Sequence, residues 1–210
     1  MTALVVATAG LALAVGRASE ATRRELRLRI ASWWGIAAAL GGAGALALLP
    51  LLAVSAAAWC AGEAMRVLRG RPGLAILGAG GFGAGVALSA WLPPERLALL
   101  LATVWASDVA QHAVGKAAGR TPFAPRLSPN KTWEGTGAGL SAGLVVGWLL
   151  GAPLLGLTCA VAGIAGGLAA SALKRSVGAK DWGRALPGHG GLLDRLDGVA
   201  AAAPLVLFST

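Results

Sequence analysis

Residues 194–197 read Asp-Arg-Leu-Asp, and Asp194 and Asp197 are the first candidates for chemistry in this chain. On a helix, side chains three positions apart are neighbours on one face. Two carboxylates that close repel each other unless a cation lies between them or one stays protonated. Oxygen donors with few His and no nearby Cys favour Mg2+ over zinc, and Mg2+ commonly bridges protein carboxylates to substrate phosphates. The pair is therefore a candidate metal–phosphate site. Its plainer reading is an acidic helix N-terminus with Arg195 as salt-bridge partner. Just before it, residues 187–191 read Pro-Gly-His-Gly-Gly. Gly190 and Gly191 let backbone N–H groups approach a ligand, and a helix N-terminus favours anions. His189 is either a donor to phosphate or a loop histidine that caps the turn. Lys174, Arg175 and Lys180 supply positive charge for phosphate oxygens. Metal ligands, phosphate clamps and a Gly-rich turn in one stretch are the parts used in phosphoryl or nucleotidyl transfer, where positioning and electrostatics do most of the catalysis.

A second cluster spans residues 107–135. Asp108 lies about two turns before the end of a predicted helix, which points it into the bundle or a cavity, and Gln111 and His112 follow it. The run Ser128–Gly135, SPNKTWEG, reads as a Pro-stiffened turn into the next helix. Ser128 and Lys131 are candidate phosphate contacts, and Glu134 falls in the first helical turn, where an acid is favoured. Alone, this run is no more than a capping arrangement.

The elements that position these groups follow from composition. The chain has 210 residues, 56% hydrophobic and only 13% charged. A soluble domain needs far more charge to cover its surface. Apolar runs of about 20 residues, the length of a membrane-crossing helix, recur along it. The fold class expected is an all-α, polytopic membrane bundle of about eight helices forming a single domain. Their limits are near 2–16, 31–48, 50–67, 73–92, 95–116, 134–151, 153–174 and 192–209. Met1 to Gly16 lacks the basic start of a cleavable signal and is read as a short first span. Cys60 and Cys159 sit in apolar runs and are read as packing residues.

The net charge of +9 is topological rather than a nucleic-acid footprint. With these spans, every one of the 18 Lys and Arg except Arg96 falls on one side of the membrane. The positive-inside rule then places the loops 115–133 and 174–191 in the cytoplasm and both termini outside, with anionic lipid headgroups as natural partners. Residues 17–30 are either an interfacial amphipathic helix or a solvated connector. Trp33, Trp34, Trp91 and Trp133 fall near span ends, as interfacial Trp do. Five of the nine acidic residues, Asp108, Glu134, Asp181, Asp194 and Asp197, lie at the cytoplasmic ends of the last four helices. Ionisable groups at membrane depth are costly and mark a functional site by default.

The segment from Ser171 to Asp197 resembles the signature of the phosphatidate cytidylyltransferase family, also called CDP-diacylglycerol synthase. That signature runs S-x-apolar-K-R, four residues, K-D, then apolar-P-x-H-G-G and D-R-apolar-D. Ser171, Lys174, Arg175, Lys180, Asp181, Leu186, Pro187, His189, Gly190, Gly191, Asp194, Arg195, Leu196 and Asp197 meet it at every position. SPNKTWEG also resembles the family's S-P-x-K-T-W-E-G. The likeness is clear over about residues 100–210 and faint before. It implies conversion of CTP and phosphatidate to CDP-diacylglycerol and pyrophosphate, at a cavity open to the cytoplasm and inner leaflet of the cell membrane. It implies Mg2+, with a second, monovalent cation such as K+ as a further candidate. It maps Asp181, Asp194 and Asp197 to the metal and phosphate site, with Asp108 as a fourth metal ligand, and His189 and Lys180 to catalysis. Ser128, Lys131, Ser171, Lys174, Arg175, Gly190, Gly191 and Arg195 map to substrate contacts. A homodimer is compatible with it.

Two features depart from the usual pattern. Many members have D-T-G-A-Y where this chain has Asp108-Val-Ala-Gln-His112, a form that resembles a variant branch of the family and implies a lipid acceptor other than ordinary phosphatidate. The part preceding the signature is also shorter than in typical members. Other readings are a CTP-dependent lipid kinase of polyprenol or phytol type, another CDP-lipid synthase, and an ion-coupled transporter. Transporters place such carboxylates near the midplane, often on interrupted helices, whereas here they crowd one face.

Overall fold

The computed structural model describes residues 41–42, 48–186 and 190–209. Six long helices account for most of them: α1 (Leu49–Val67), α2 (Pro72–Leu88), α3 (Pro94–Ala118), α4 (Trp133–Leu149), α5 (Pro153–Ser176) and α6 (Leu193–Phe208). A 3-10 turn at Ser89–Trp91 follows α2. Each helix matches a predicted span to within a few residues. The predicted helices at 2–16 and 31–48, the basic connector 17–30, and Trp33 and Trp34 lie outside the described residues, apart from residues 41, 42 and 48.

Three helical stretches are long and apolar enough to cross a membrane: Pro72–Trp91, Pro94–Ala118 and Pro153–Ser176. The chain is thus a helical membrane protein with three such stretches among the described residues; two of the eight expected spans fall outside those residues, so the count of about eight is not confirmed. α4 and α6, at 17 and 16 residues, fall short of the ~20 needed to cross unaided. α1 carries Glu63 and Arg66 near its end.

Proline opens α1, α2, α3 and α5 in the first turn, where its missing N–H is not needed. α4 starts instead on Thr132, whose hydroxyl accepts the Gly135 N–H at 3.1 Å. The all-α expectation needs one correction. The Pro-stiffened turn is a small antiparallel hairpin, β1 (Pro122–Ala124) with β2 (Ser128–Thr132). Its strands are too short to announce themselves by alternation, and each contains a Pro. Backbone N–H groups of Arg120 and Thr121 donate to the Glu134 carboxylate at 3.2 and 3.3 Å, and Phe123 meets Trp133 edge to face. These contacts fix the hairpin against the start of α4.

α6 is the central element. Its Leu193 and Ala200 join a core with Cys60 of α1, Leu68 just after it, Phe82 of α2 and Trp182. Its Val199 and Val206 join a second core with Leu100, Val104 and Cys159 of α3 and α5. The two Cys are buried, free and in different cores, as packing residues should be. Arg96, the one basic residue assigned to the far side, hydrogen-bonds the Ser209 carbonyl at 2.6 Å at the end of α6. A Cβ on Gly85 of α2 would run into the Ala200 carbonyl of α6. Gly85→Ala is therefore expected to destabilise the protein by about 1–3 kcal/mol through overpacking, read as a lower unfolding temperature in detergent. An unchanged unfolding temperature would contradict this packing.

Candidate active site

Two polar hollows adjoin between the hairpin and the helix ends. One is lined by Asp108, Gln111, His112, Ser128, Asn130, Lys131, Thr132, Gly135 and Thr136. The other lies among α3, α5 and α6 and is lined by Ser107, Asp108, Gln111, Lys131, Ser171, Asp194, Arg195 and Asp197, with Val104, Trp105 and Ile164 as its apolar side. Asp108, Gln111 and Lys131 line both. The hairpin carries Lys131 to α3, where its ammonium donates to Gln111 Oε1 at 3.2 Å. Gln111 in turn approaches the Ser107 carbonyl and hydroxyl at 3.4 Å. Asp197 is held by α5: a Cβ on Gly166 would lie 2.7 Å from the Asp197 carbonyl oxygen, so the two backbones touch there. Its own carboxylate accepts the Gly198 N–H at 2.7 Å. It also lies within electrostatic reach of Lys174, Asp108 and Asp194.

Asp194 has a different task. Its Oδ1 pairs with Lys174 Nζ at 2.5 Å, both side chains being nearly buried. Its Oδ2 accepts the N–H groups of Trp182 at 2.8 Å and Gly191 at 2.9 Å. One carboxylate thereby fastens Trp182 and Gly191 to α5 and α6. Trp182 is wholly buried against Phe82, with the Lys174 ammonium 5.8 Å from its ring. Asp181 is exposed and lines neither hollow. It and Asp194 flank Gly190, whose φ of 81° is left-handed backbone that suits glycine.

The structure therefore divides the predicted site. It brings together Asp108, Asp197, Lys131, Ser171 and Arg195, with Asp194 at the edge and Ser128 in the adjoining hollow. Lys174 is committed to Asp194, and Arg175 is exposed and turned to the Ala179 carbonyl at 2.8 Å. Lys180 is exposed and lines neither hollow. His189 lies outside the described residues. The expected four-carboxylate metal set is not formed: among the described residues no three Asp, Glu, His or Cys converge as a metal site. The Gly-rich cradle also differs from expectation, because the Gly191 N–H serves Asp194 rather than an open anion pocket. The oxygen-only pair Asp108 and Asp197 on one hollow still fits Mg2+, which takes one or two carboxylates and fills its remaining positions with water and phosphate.

Two residues beyond the expected set belong here. Gln111 joins the hollows. Glu63 of α1 is 1% exposed and hydrogen-bonded to the backbone at the start of α6. A lone carboxylate in an apolar helix is the signal that marks it in the sequence.

Among known proteins, the phosphatidate cytidylyltransferase of Brucella suis is 45% identical over 123 residues, covering 53% of this chain and 46% of its own length. That of Mycobacterium leprae is 41% identical over 122 residues, covering 51% and 38%. The uncharacterised Escherichia coli protein YnbB is 42% identical over 119 residues, covering 52% and 40%. The chain spans about half the length of these curated relatives, or less. The family model described as the Cytidylyltransferase family matches residues 94–210, from the start of α3 to the last residue, and with more than half of its length matched the chain belongs to that family.

Proposed function

We propose that the chain transfers the cytidylyl group of CTP to a phospholipid phosphate, with phosphatidate or a close relative as acceptor, at the cytoplasmic face of a cell membrane. The observation that carries this reading is the pair of adjoining hollows that share Asp108 and Lys131, at the loop ends of otherwise apolar helices. A phosphate-bearing lipid and a nucleotide can meet there. The relatives' printed activity and the positive-inside argument support the same reading.

A phosphate oxygen of the lipid attacks the α-phosphorus of CTP. The new P–O bond forms as the bond to the β-phosphate breaks, and pyrophosphate leaves with its electron pair. A phosphomonoester has its second pKa near 6, so at neutral pH the nucleophile is already ionised and needs no general base. The chain's task is to bring two anions together. Lys131 and Arg195 face phosphate oxygens as cations, and Ser171 offers a hydroxyl. Asp108 and Asp197 would hold Mg2+, which neutralises phosphate charge when bound. Gln111 keeps the Lys131 ammonium aimed at the junction.

The test is detergent-purified protein with CTP, phosphatidate and Mg2+. The expected products are CDP-diacylglycerol and pyrophosphate. Release of CDP with a newly phosphorylated lipid would make it a kinase instead, and full turnover in chelator would remove the metal assignment. Variation of the acceptor's headgroup and acyl chains tests the variant-branch expectation.

A further inference from the structure

The N-terminus of α6 carries Asp194 and Asp197, and Asp194 takes the N–H of Gly191 just before the helix, yet the capping position itself offers no acceptor. The capping position is Leu192, with helical φ and ψ and no side-chain acceptor. The first N–H groups of any helix need partners. Here they find one about 130 residues earlier in sequence. Glu63 Oε1 accepts the Leu192 N–H at 3.1 Å, and Oε2 accepts the Leu193 N–H at 2.8 Å. Trp59 Nε1, one turn before Glu63 on α1, donates to Oε1 at 3.1 Å.

We propose that Glu63 is a positioning residue for the transfer site: it fixes the start of α6, and so the depth and rotation of Asp197, relative to α1 and the signature loop. This deepens, and rests on, the function proposed above. Three observations carry it. Glu63 is 1% exposed, so its carboxylate sits where a charge is costly without dedicated donors, and it has three. The signature loop is shaped around it: a Cβ on Gly191 would lie 2.5 Å from Oε2, and one on Gly183 2.7 Å from Oε1. A Ser or Asp next to the helix would have capped α6 locally. A cap delivered from α1 also sets where the helix end stands in the bundle. Leu193 is four residues before Asp197, on the same side of the helix, so a shift at the cap is passed one turn along to the cavity. A misplacement of ~1 Å is enough to cost on the order of 100-fold in rate. α1 lies outside residues 94–210, so the part of the chain before the family match completes the site.

The test uses the full chain in detergent, as wild type, E63Q and E63D. Glutamine keeps the volume but sets an amide N–H2 against one of the two backbone donors. The expected result for E63Q is a fall in kcat of about 10–100-fold, the range for removing a group that orients a site residue, with KM for CTP changed far less. E63D, which keeps the charge but is one methylene short, should recover part of kcat. Hydrogen exchange should accelerate at the amides of residues 191–196 in E63Q and stay unchanged in α3 and α5. Wild-type kcat in E63Q, or unchanged exchange at 191–196, would overturn the proposal, as would loss of activity that merely follows loss of folded protein. If E63Q yields no folded protein, the same measurements on E63D decide. If the wild type itself forms no cytidylyl-lipid, the functional reading fails, and the exchange comparison still decides whether Glu63 positions α6.

Discussion

Asp197→Asn is expected to lower kcat for cytidylyl-lipid formation by roughly 10²–10³-fold, the cost of removing one preorganised charged group from a reacting centre. The substitution is nearly isosteric. An Asn carbonyl still accepts the Gly198 N–H, so the local turn persists. The contact with Gly166 is a backbone contact and is untouched. What disappears is one of three carboxylates lining the hollow, and with it one of the two proposed to hold Mg2+, the third, Asp194, being tied to Lys174. The unfolding temperature in detergent should therefore stay close to wild type while turnover collapses. Raising Mg2+ should recover part of the rate if metal affinity is what was lost. Activity within about twofold of wild type would remove Asp197 from the site.

Lys174→Met should act the other way, on the fold before the chemistry. Lys174 is 7% exposed and its ammonium is committed to Asp194. Removing one partner of a buried pair leaves an uncompensated charge and costs about 3–5 kcal/mol. Asp194 would keep the N–H groups of Trp182 and Gly191, which puts the expected loss at the lower end of that range. The readout is unfolding in detergent, with loosening of the segment 181–191 as its local sign. The double variant Lys174→Met, Asp194→Asn should be more stable than Lys174→Met alone, because no buried charge is then left unpaired. Wild-type stability of the single variant would show that the pair does not anchor the loop.

Much of this arrangement is readable from residue types. Asp108, Ser171 and Asp197 stand out because polar groups inside apolar helices are costly, and Lys131 because it stands in a short polar run between two such helices. Helix starts are equally plain, since Pro72, Pro94 and Pro153 punctuate them. The roles of the individual carboxylates are not plain. Asp194 and Asp197 look alike in sequence and both line the hollow, but Asp194 also ties backbone and Lys174 together, which Asp197 does not. Local pattern holds no information about which N–H will find which oxygen. Arg175 reads as a phosphate contact by composition, yet it closes the end of α5 through the Ala179 carbonyl. The hairpin escapes notice because its five-residue second strand contains Pro129. Glu63 is visible as an anomaly, but its partners lie at Leu192 and Leu193, and a contact across that separation follows from the packing of whole helices.

The long reach from Glu63 to α6 also imposes an order in time. A ribosome makes α1 well before α6, so in the growing chain the Glu63 carboxylate sits in an apolar helix without the two amides that later receive it. Until α6 enters the bundle, that charge is a reason for α1 to stay close to the lipid–water boundary. Docking of α6 then removes the penalty and completes the cavity in one event.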